Sequence, residues 1–219
     1  MHDSNLGIFV KEPRPGRVKT RLARTIGEVQ AADLYRAFVA DTMTLALNSE
    51  ARHCRIFHDG APPSVWIGSD RGEFSELPQA EGDLGDRLQS AFTAGPCPLL
   101  MLGSDSPDLP PELLRSALEA LDQGAQTVLG ATSDGGVWCI GLDRARAELF
   151  ADIPWSSTST GDALRNRADA LGLNRIEVAP WYDCDLQEDL DALVVRLRGR
   201  PDAATMTRRF LSPTDPDPE

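Results

Sequence analysis

The chain has 219 residues, 41% of them hydrophobic and 26% charged, with 34 acidic against 22 basic side chains and a formal net charge of −12. These values describe a folded domain rather than a disordered chain. The acidity argues against a general binder of nucleic acid or of anionic membrane, both of which it would repel.

Strand and helix signals alternate along the chain. Leu6–Lys11 reads as a first strand, and the basic segment KEPRPGRVKTRLAR follows at residues 11–24. This segment sums to +5, leaving −17 for the rest. Glu28–Leu47 shows a helical stripe of Leu34, Phe38 and Leu45, and Arg52–Phe57 reads as a strand. Residues 60–80 are irregular and rich in Pro and Gly, with room for one short strand. Asp83–Ala94 has Leu84, Leu88 and Phe92 at four-residue spacing and reads as a helix. Pro98–Gly103 is a continuous apolar run, the pattern of a central strand covered on both faces. Pro110–Leu121 is a helix opened by prolines. Gln126–Gly130 and Val137–Leu142 are strands around SDGG. They are followed by a helix over Ser159–Ala170 with a capping-box pattern of Ser159 and Asp162. Arg175–Ala179 reads as a strand, Leu186–Leu197 as a helix and Ala203–Leu211 as a last short helix. The order predicts an α/β fold, a mainly parallel but mixed sheet between helices. One domain is expected over residues 1–211, with a disordered tail at 212–219.

No apolar run is long enough for a membrane span, and the N-terminus lacks the pattern of a secretory signal. Cys54, Cys97, Cys139 and Cys184 form no C-x-x-C pair, and His2, His53 and His58 form no ligand cluster. A cytoplasmic protein with free thiols and no zinc site is expected. No G-x-S-x-G elbow is present, which argues against a serine hydrolase.

Five features carry possible chemistry. The basic segment lies between a strand and a helix, where open α/β sheets bind phosphate, although it is neither a Walker loop nor G-x-G-x-x-G. A solvated charged face is the plainer alternative. Asp105 and Asp108 follow the most apolar strand, where an acid either holds Mg²⁺ or Mn²⁺ beside a phosphate or hydrogen-bonds a helix start; capping suits Asp108 better. Asp183 and Asp185 follow a later strand. One of them either caps the next helix, with Glu188 completing a box, or forms the second arm of a metal site with Asp105. Asp134-Gly135-Gly136 is a hairpin signal whose second glycine also allows close approach of a ligand. Gly82 to Arg87 (GDLGDR) is a helix entrance whose backbone N–H groups could face a base or sugar, a plain helix N-terminus being the simpler alternative. Trp138 and Trp155 are expected to pack.

Together, FVKEPRPGRVKTRLA, GDLGDRL, LGSDSPDLP, SDGGVWCIGL, IPWSSTST and DCDLQEDL resemble the bacterial DUF2064 family. That family lies in the glycosyltransferase-A-like (nucleotide-diphospho-sugar transferase) superfamily, alongside cofactor guanylyltransferases. The resemblance runs from about Leu6 to Leu197. It implies a Rossmann-like three-layer α/β/α sandwich of GT-A type with a nucleotide over the carboxyl ends of the first strands. It also implies that Lys19 and Arg21 bind phosphate beside Arg17, with Gly16 forming the tight loop. Asp105 would then hold Mg²⁺ or Mn²⁺ with Asp183 or Asp185. Gly82, Asp83, Gly85 and Arg87 would lie by the nucleoside, and Asp134, Gly135 and Gly136 on the acceptor side. The aromatic residue that the family carries directly after the double glycine is displaced here, with Val137 first and Trp138 next. The implied partners are a nucleoside triphosphate or sugar nucleotide and a small-molecule acceptor. The cationic loop favours nucleotidyl transfer. Glycosyl transfer and a non-catalytic nucleotide-binding module are the alternatives.

Overall fold

A computed structural model of the chain describes residues 2–68 and 74–212. Residues 213–219 of the expected tail at 212–219 and part of the irregular 60–80 stretch lie outside the described residues. The strands are β1 (Asn5–Lys11), β2 (Cys54–Asp59), β3 (Ser75–Pro78), β4 (Leu99–Leu102), β5 (Thr127–Thr132), β6 (Val137–Leu142) and β7 (Arg175–Trp181). They form one sheet in the order β3-β2-β1-β4-β6-β5-β7. Among the described strands only β6 runs against the others. It pairs antiparallel with β4 and β5, while β5 pairs parallel with β7. The sheet is therefore mainly parallel and mixed, as the strand order predicts.

The helices are α1 (Ala23–Ile26), α2 (Glu28–Leu47), α3 (Pro63–Trp66), α4 (Leu84–Ala94), α5 (Pro111–Asp122), α6 (Ala147–Phe150), α7 (Thr160–Ala170), α8 (Gln187–Arg198) and α9 (Thr205–Leu211). One face of the sheet packs Leu6, Ile8 and Val10 of β1 against Leu34 and Phe38 of α2, Leu114 and Leu118 of α5, and Leu193 of α8. The other packs Met101, Leu129 and Ile140 against Leu88 and Phe92 of α4, Phe150 of α6 and Leu164 of α7. These are the two helical layers of an α/β/α sandwich. All four residues of β4 are buried, as its unbroken apolar sequence requires. Among the described residues no helix is long and apolar enough to cross a membrane.

Three single-turn helices, α1, α3 and α6, were not predicted; each is only four residues long, too short to show a hydrophobic period. The predicted Ser159–Asp162 cap does not form. Ser159 makes no capping hydrogen bond, and Asp162 instead pairs with Arg165 at 2.5 Å. At α8 the capping carboxylate is Asp189 rather than Glu188, accepting from the N–H groups of Asp185 and Leu186 at 3.0 and 2.8 Å. Helix α9 has no side-chain cap of its own; Asp41 of α2 accepts from the Met206 and Thr207 N–H groups at 2.9 and 2.8 Å. A carboxylate far away in sequence thus satisfies the orphan donors that a local cap would normally serve.

Candidate active site

A cavity of about 640 Å³ opens at the carboxyl ends of β1 and β4. This is where a parallel sheet presents its loops to a ligand. Arg17, Lys19 and Arg21 from the basic segment line it together with Asp105 and Asp185. Gly82, Leu84 and Arg87 of the α4 entrance and Val137, Trp138 and Ser156 complete much of the wall.

The densest part is a cluster of charges. The Lys19 ammonium contacts an Asp105 carboxylate oxygen and donates to Asp185 Oδ1 at 2.9 Å, while Arg21 lies 3.6 Å from Asp185 Oδ2. Burial alone would lower the Lys19 pKa, but Asp105 and Asp185 outweigh it and hold the group well above its ordinary range. Burial likewise opposes the charge on Asp185, yet Lys19 and Arg21 keep its carboxyl below the usual value. Arg17 and Lys11 are exposed and form no ion pair among the described residues.

Asp183 points elsewhere. Its Oδ1 accepts from Ser106 Oγ at 2.7 Å, and burial together with the nearby Asp105 charge pushes its pKa up to about 7. The two acids that the sequence left equivalent are therefore distinct, with Asp185 in the cavity wall and Asp183 behind it. Asp105 and Asp185 both reach one point, the Lys19 ammonium. They are thus close enough to share a single cation, as a hard divalent ion held by one or two carboxylates and substrate phosphates requires. Among the described residues no group of three or more His, Cys, Asp or Glu side chains is arranged as a metal site. Oxygens of a bound ligand would have to complete the coordination.

The loops carrying these acids are fastened together. The Cys184 N–H donates to the Asp105 carbonyl at 3.0 Å. Asp108 is not a helix cap. Its fully buried carboxylate accepts from Arg196 Nε at 2.7 Å and from the Arg196 terminal nitrogen at 3.2 Å, and Trp181 Nε1 lies at 3.4 Å. Arg200 donates to the Asp108 carbonyl at 2.6 Å. On the other side, Tyr35 Oη lies 2.8 Å from Ser104 Oγ and accepts from the Lys11 N–H at 3.0 Å, tying the end of β1 to the loop after β4. Burial, and then the Asp105 charge, push the Tyr35 phenol up to about 12, so it stays protonated at neutral pH. The sequence reading missed Tyr35, Ser104 and Arg196. Tyr35 is indistinguishable in sequence from the core stripe of α2, and Arg196 from a solvated helical cation.

The other predicted positions are placed as follows. Gly82 and Arg87 line the cavity, with Arg87 tied to Asp59, Gln79 and the Gly82 carbonyl, each at 3.1 Å. Asp83 does not line it, forming instead a capping box with Asp86 at 3.0 and 3.1 Å. Gly85 is a packing position, where a Cβ would fall 2.3 Å from the Trp155 indole nitrogen. Gly16 has φ +76° and faces Glu28, outside the cavity lining. Asp134, Gly135 and Gly136 form the β5–β6 hairpin turn, where Asp134 accepts from Thr132 Oγ1 and the Gly136 N–H. They pack against 158–161 and do not line the cavity: a Cβ on Gly135 would lie 1.9 Å from the Thr158 carbonyl. Trp138 packs flat over Gly130 and donates to the Ala179 carbonyl at 3.3 Å, as expected of a packing residue.

Residues 42–157, more than half of the chain, match the family model described as "Uncharacterized protein conserved in bacteria (DUF2064)". This chain belongs to the DUF2064 family. Among curated proteins none matches. The DUF2064 chain is similar to the crystal structure of a candidate nucleotide-diphospho-sugar transferase from Desulfovibrio desulfuricans G20. That protein is 28% identical with a TM-score of 0.81, over 96% of this chain and 99% of the other. It shares its fold with a nucleotidyl transferase from Methanothermobacter thermautotroptrophicus, 14% identical with a TM-score of 0.57, over 90% of this chain and 99% of that one. It also shares it with glucosyl-3-phosphoglycerate synthase from Mycobacterium tuberculosis, solved with Mn²⁺, uridine diphosphate and glucosyl-3-phosphoglycerate. That enzyme is 12% identical with a TM-score of 0.52, over 96% of this chain and 77% of that one. The DUF2064 chain has the GT-A-like fold of nucleotide-diphospho-sugar transferases and nucleotidyltransferases.

Proposed function

We propose that this chain is a divalent-metal-dependent transferase with a nucleotide donor, carrying a nucleotidyl group from a nucleoside triphosphate to a small phosphorylated or hydroxyl acceptor. One observation carries the reading. The cations of the first loop and the carboxylates Asp105 and Asp185 meet on one wall of one cavity at the carboxyl ends of the strands.

Arg17, Arg21 and Lys11 bind the phosphate chain, and Asp105 with Asp185 holds Mg²⁺ or Mn²⁺. The cation supplies neutralisation of the phosphate charge that grows in the transition state. Asp183 supports Ser106 from behind and is not a ligand in this reading. The α4 entrance, with Gly82, Leu84 and Arg87, faces the nucleoside. The acceptor lies by Val137 and Ser156, a wall that Asp134, Gly135 and Gly136 hold from behind. Its oxygen attacks the α-phosphorus in line, and a new P–O bond forms as the bond from the α-phosphorus to the bridging oxygen breaks. Pyrophosphate leaves on the cationic side, and a hydroxyl acceptor gives up its proton to solvent. Glycosyl transfer from a sugar nucleotide is the second reading, supported by the name given to the Desulfovibrio relative.

A thermal-shift panel of nucleoside triphosphates and sugar nucleotides, with and without Mg²⁺, tests both. A Mg²⁺-dependent shift with a triphosphate supports nucleotidyl transfer, and a shift confined to a sugar nucleotide supports the second reading. Asp105→Asn is expected to abolish the Mg²⁺-dependent part while the chain stays folded. An unchanged shift in that variant refutes the assigned role of Asp105.

A further inference from the structure

Lys19 is the least exposed member of the charge cluster. Its side chain is 3% exposed, against 45% for Asp105 and 37% for Asp185. The ammonium is therefore nearly closed off from solvent at its contacts with the two carboxylates, and all three residues line the cavity. It rests 5.4 Å from the centre of the Phe38 ring. Its backbone has φ +46°, a left-handed conformation that a lysine adopts only at a cost and that the surrounding contacts must hold in place. A plain phosphate-binding lysine would extend freely into the cavity. This one is folded back, and its single positive charge is bonded to both of the carboxylates best placed to take a divalent ion.

We propose that Lys19 is an internal counter-cation that fills the divalent-metal position of the ligand-free protein and yields it only when a polyphosphate chain offers its ammonium another partner. The inference rests on the metal-dependent reading above and adds an order of assembly to it. Free metal must compete with a resident charge already bonded to both carboxylates. A phosphate chain lying along Arg17 and Arg21 draws the ammonium outward, and the vacated carboxylates then accept the metal. Lysine suits this exchange because it is a compact charge on a flexible stem, able to re-aim without moving the backbone. Metal and polyphosphate consequently bind with positive coupling, and the coupling is the same in both directions.

Mn²⁺ binding, read from the electron paramagnetic resonance signal of the free ion, tests this without any turnover. The intact protein is compared with Lys19→Met and Lys19→Gln, first with Mn²⁺ alone and then with inorganic tripolyphosphate, the Mn²⁺–tripolyphosphate equilibrium being accounted for. Both variants are expected to bind Mn²⁺ alone about tenfold or more tighter than wild type. Adding Asp185→Asn to Lys19→Met is expected to cancel the gain. Wild type is expected to gain about tenfold on adding tripolyphosphate, and the variants clearly less. Circular dichroism checks that each variant is folded. Lys19→Gln, which removes the charge but keeps an N–H donor on a slightly shorter side chain, carries the test if Lys19→Met is unstable. Equal Mn²⁺ affinity in wild type and both variants overturns the exchange and leaves the transferase reading standing. Absence of Mn²⁺ binding from every protein, with and without tripolyphosphate, overturns both.

Discussion

Arg196→Met removes the main partner of a carboxylate that has no access to water. Asp108 is 0% exposed and loses the hydrogen bonds at 2.7 and 3.2 Å, keeping Trp181 Nε1 at 3.4 Å and an Arg200 nitrogen at 3.9 Å. Leaving a buried charge without its partner costs about 3–5 kcal/mol. Arg200 can move in and recover part of this, which puts the expected loss near the lower end, about 3 kcal/mol. Loss of the stacking of Arg196 over Tyr182, at 4.8 Å, adds less than about 1 kcal/mol. Urea unfolding reads the effect. With a slope of about 3 kcal/mol/M for a chain of this size, the midpoint should fall by about 1 M. Combining Arg196→Met with Asp108→Asn should be milder than the sum of the two, by about 2 kcal/mol, because the unpaired charge is then absent. A loss below about 0.5 kcal/mol for Arg196→Met, or simple additivity, would refute the account of this clamp.

Gly135→Ala places a Cβ against the Thr158 carbonyl at a φ of +89°, and should cost about 2–4 kcal/mol and lower Tm by about 5–10 °C. Gly172→Ala, with φ +65° and nothing within 4 Å, is the control and should cost only about 1 kcal/mol; similar losses in calorimetry would mean that the contact is unimportant. Arg17→Ala should leave urea stability within about 0.5 kcal/mol and weaken triphosphate binding, seen by calorimetry as a larger loss for triphosphate than for the free nucleoside. Asp122 predicts an acid limb. Burial would raise its carboxyl, but hydrogen bonds from Ser4 and His2 hold it below its ordinary value of 3.8. A depressed folded pKa stabilises the protein above the unfolded value, so this contribution is lost as pH falls from 3.8 through the folded pKa. Asp122→Asn should flatten that limb in pH-dependent urea unfolding, and an unchanged limb would assign it to other carboxylates.

The frame of the molecule is written locally. The apolar run of β4 announces a strand buried on both faces, and Pro13, Pro15 and Gly16 mark the loop that follows β1. The family resemblance, rather than the local pattern, sets Asp105 near the cations of that loop in advance, and β1 does pair with β4. What the sequence hides is the orientation of each charge. Asp183 and Asp185 differ because the Ser106 hydroxyl, 77 residues away, captures the first while Lys19 and Arg21 hold the second. Asp108 reads as a cap because its partner Arg196 lies 88 residues on. Lys19 reads as a phosphate-binding cation, and is buried because the fold brings both Asp105 and Asp185 to it. Asp83 was legible in principle: its box partner Asp86 is three residues away, an acid in place of the usual Glu or Gln.

Lys19 and Asp185 are separated by 166 residues, and so are Asp41 and Thr207, whose contact fastens α9 to α2. On a ribosome, at about 5–20 residues per second, the first member of each pair waits on the order of ten seconds for the second. A nascent chain ending before residue 185 has the basic segment, Asp105 and most of the sheet, but half of the acid pair is still missing. On the proposed function, the capacity to take up a metal–nucleotide complex is therefore expected to arrive late in synthesis, after much of the hydrophobic core has become available for folding.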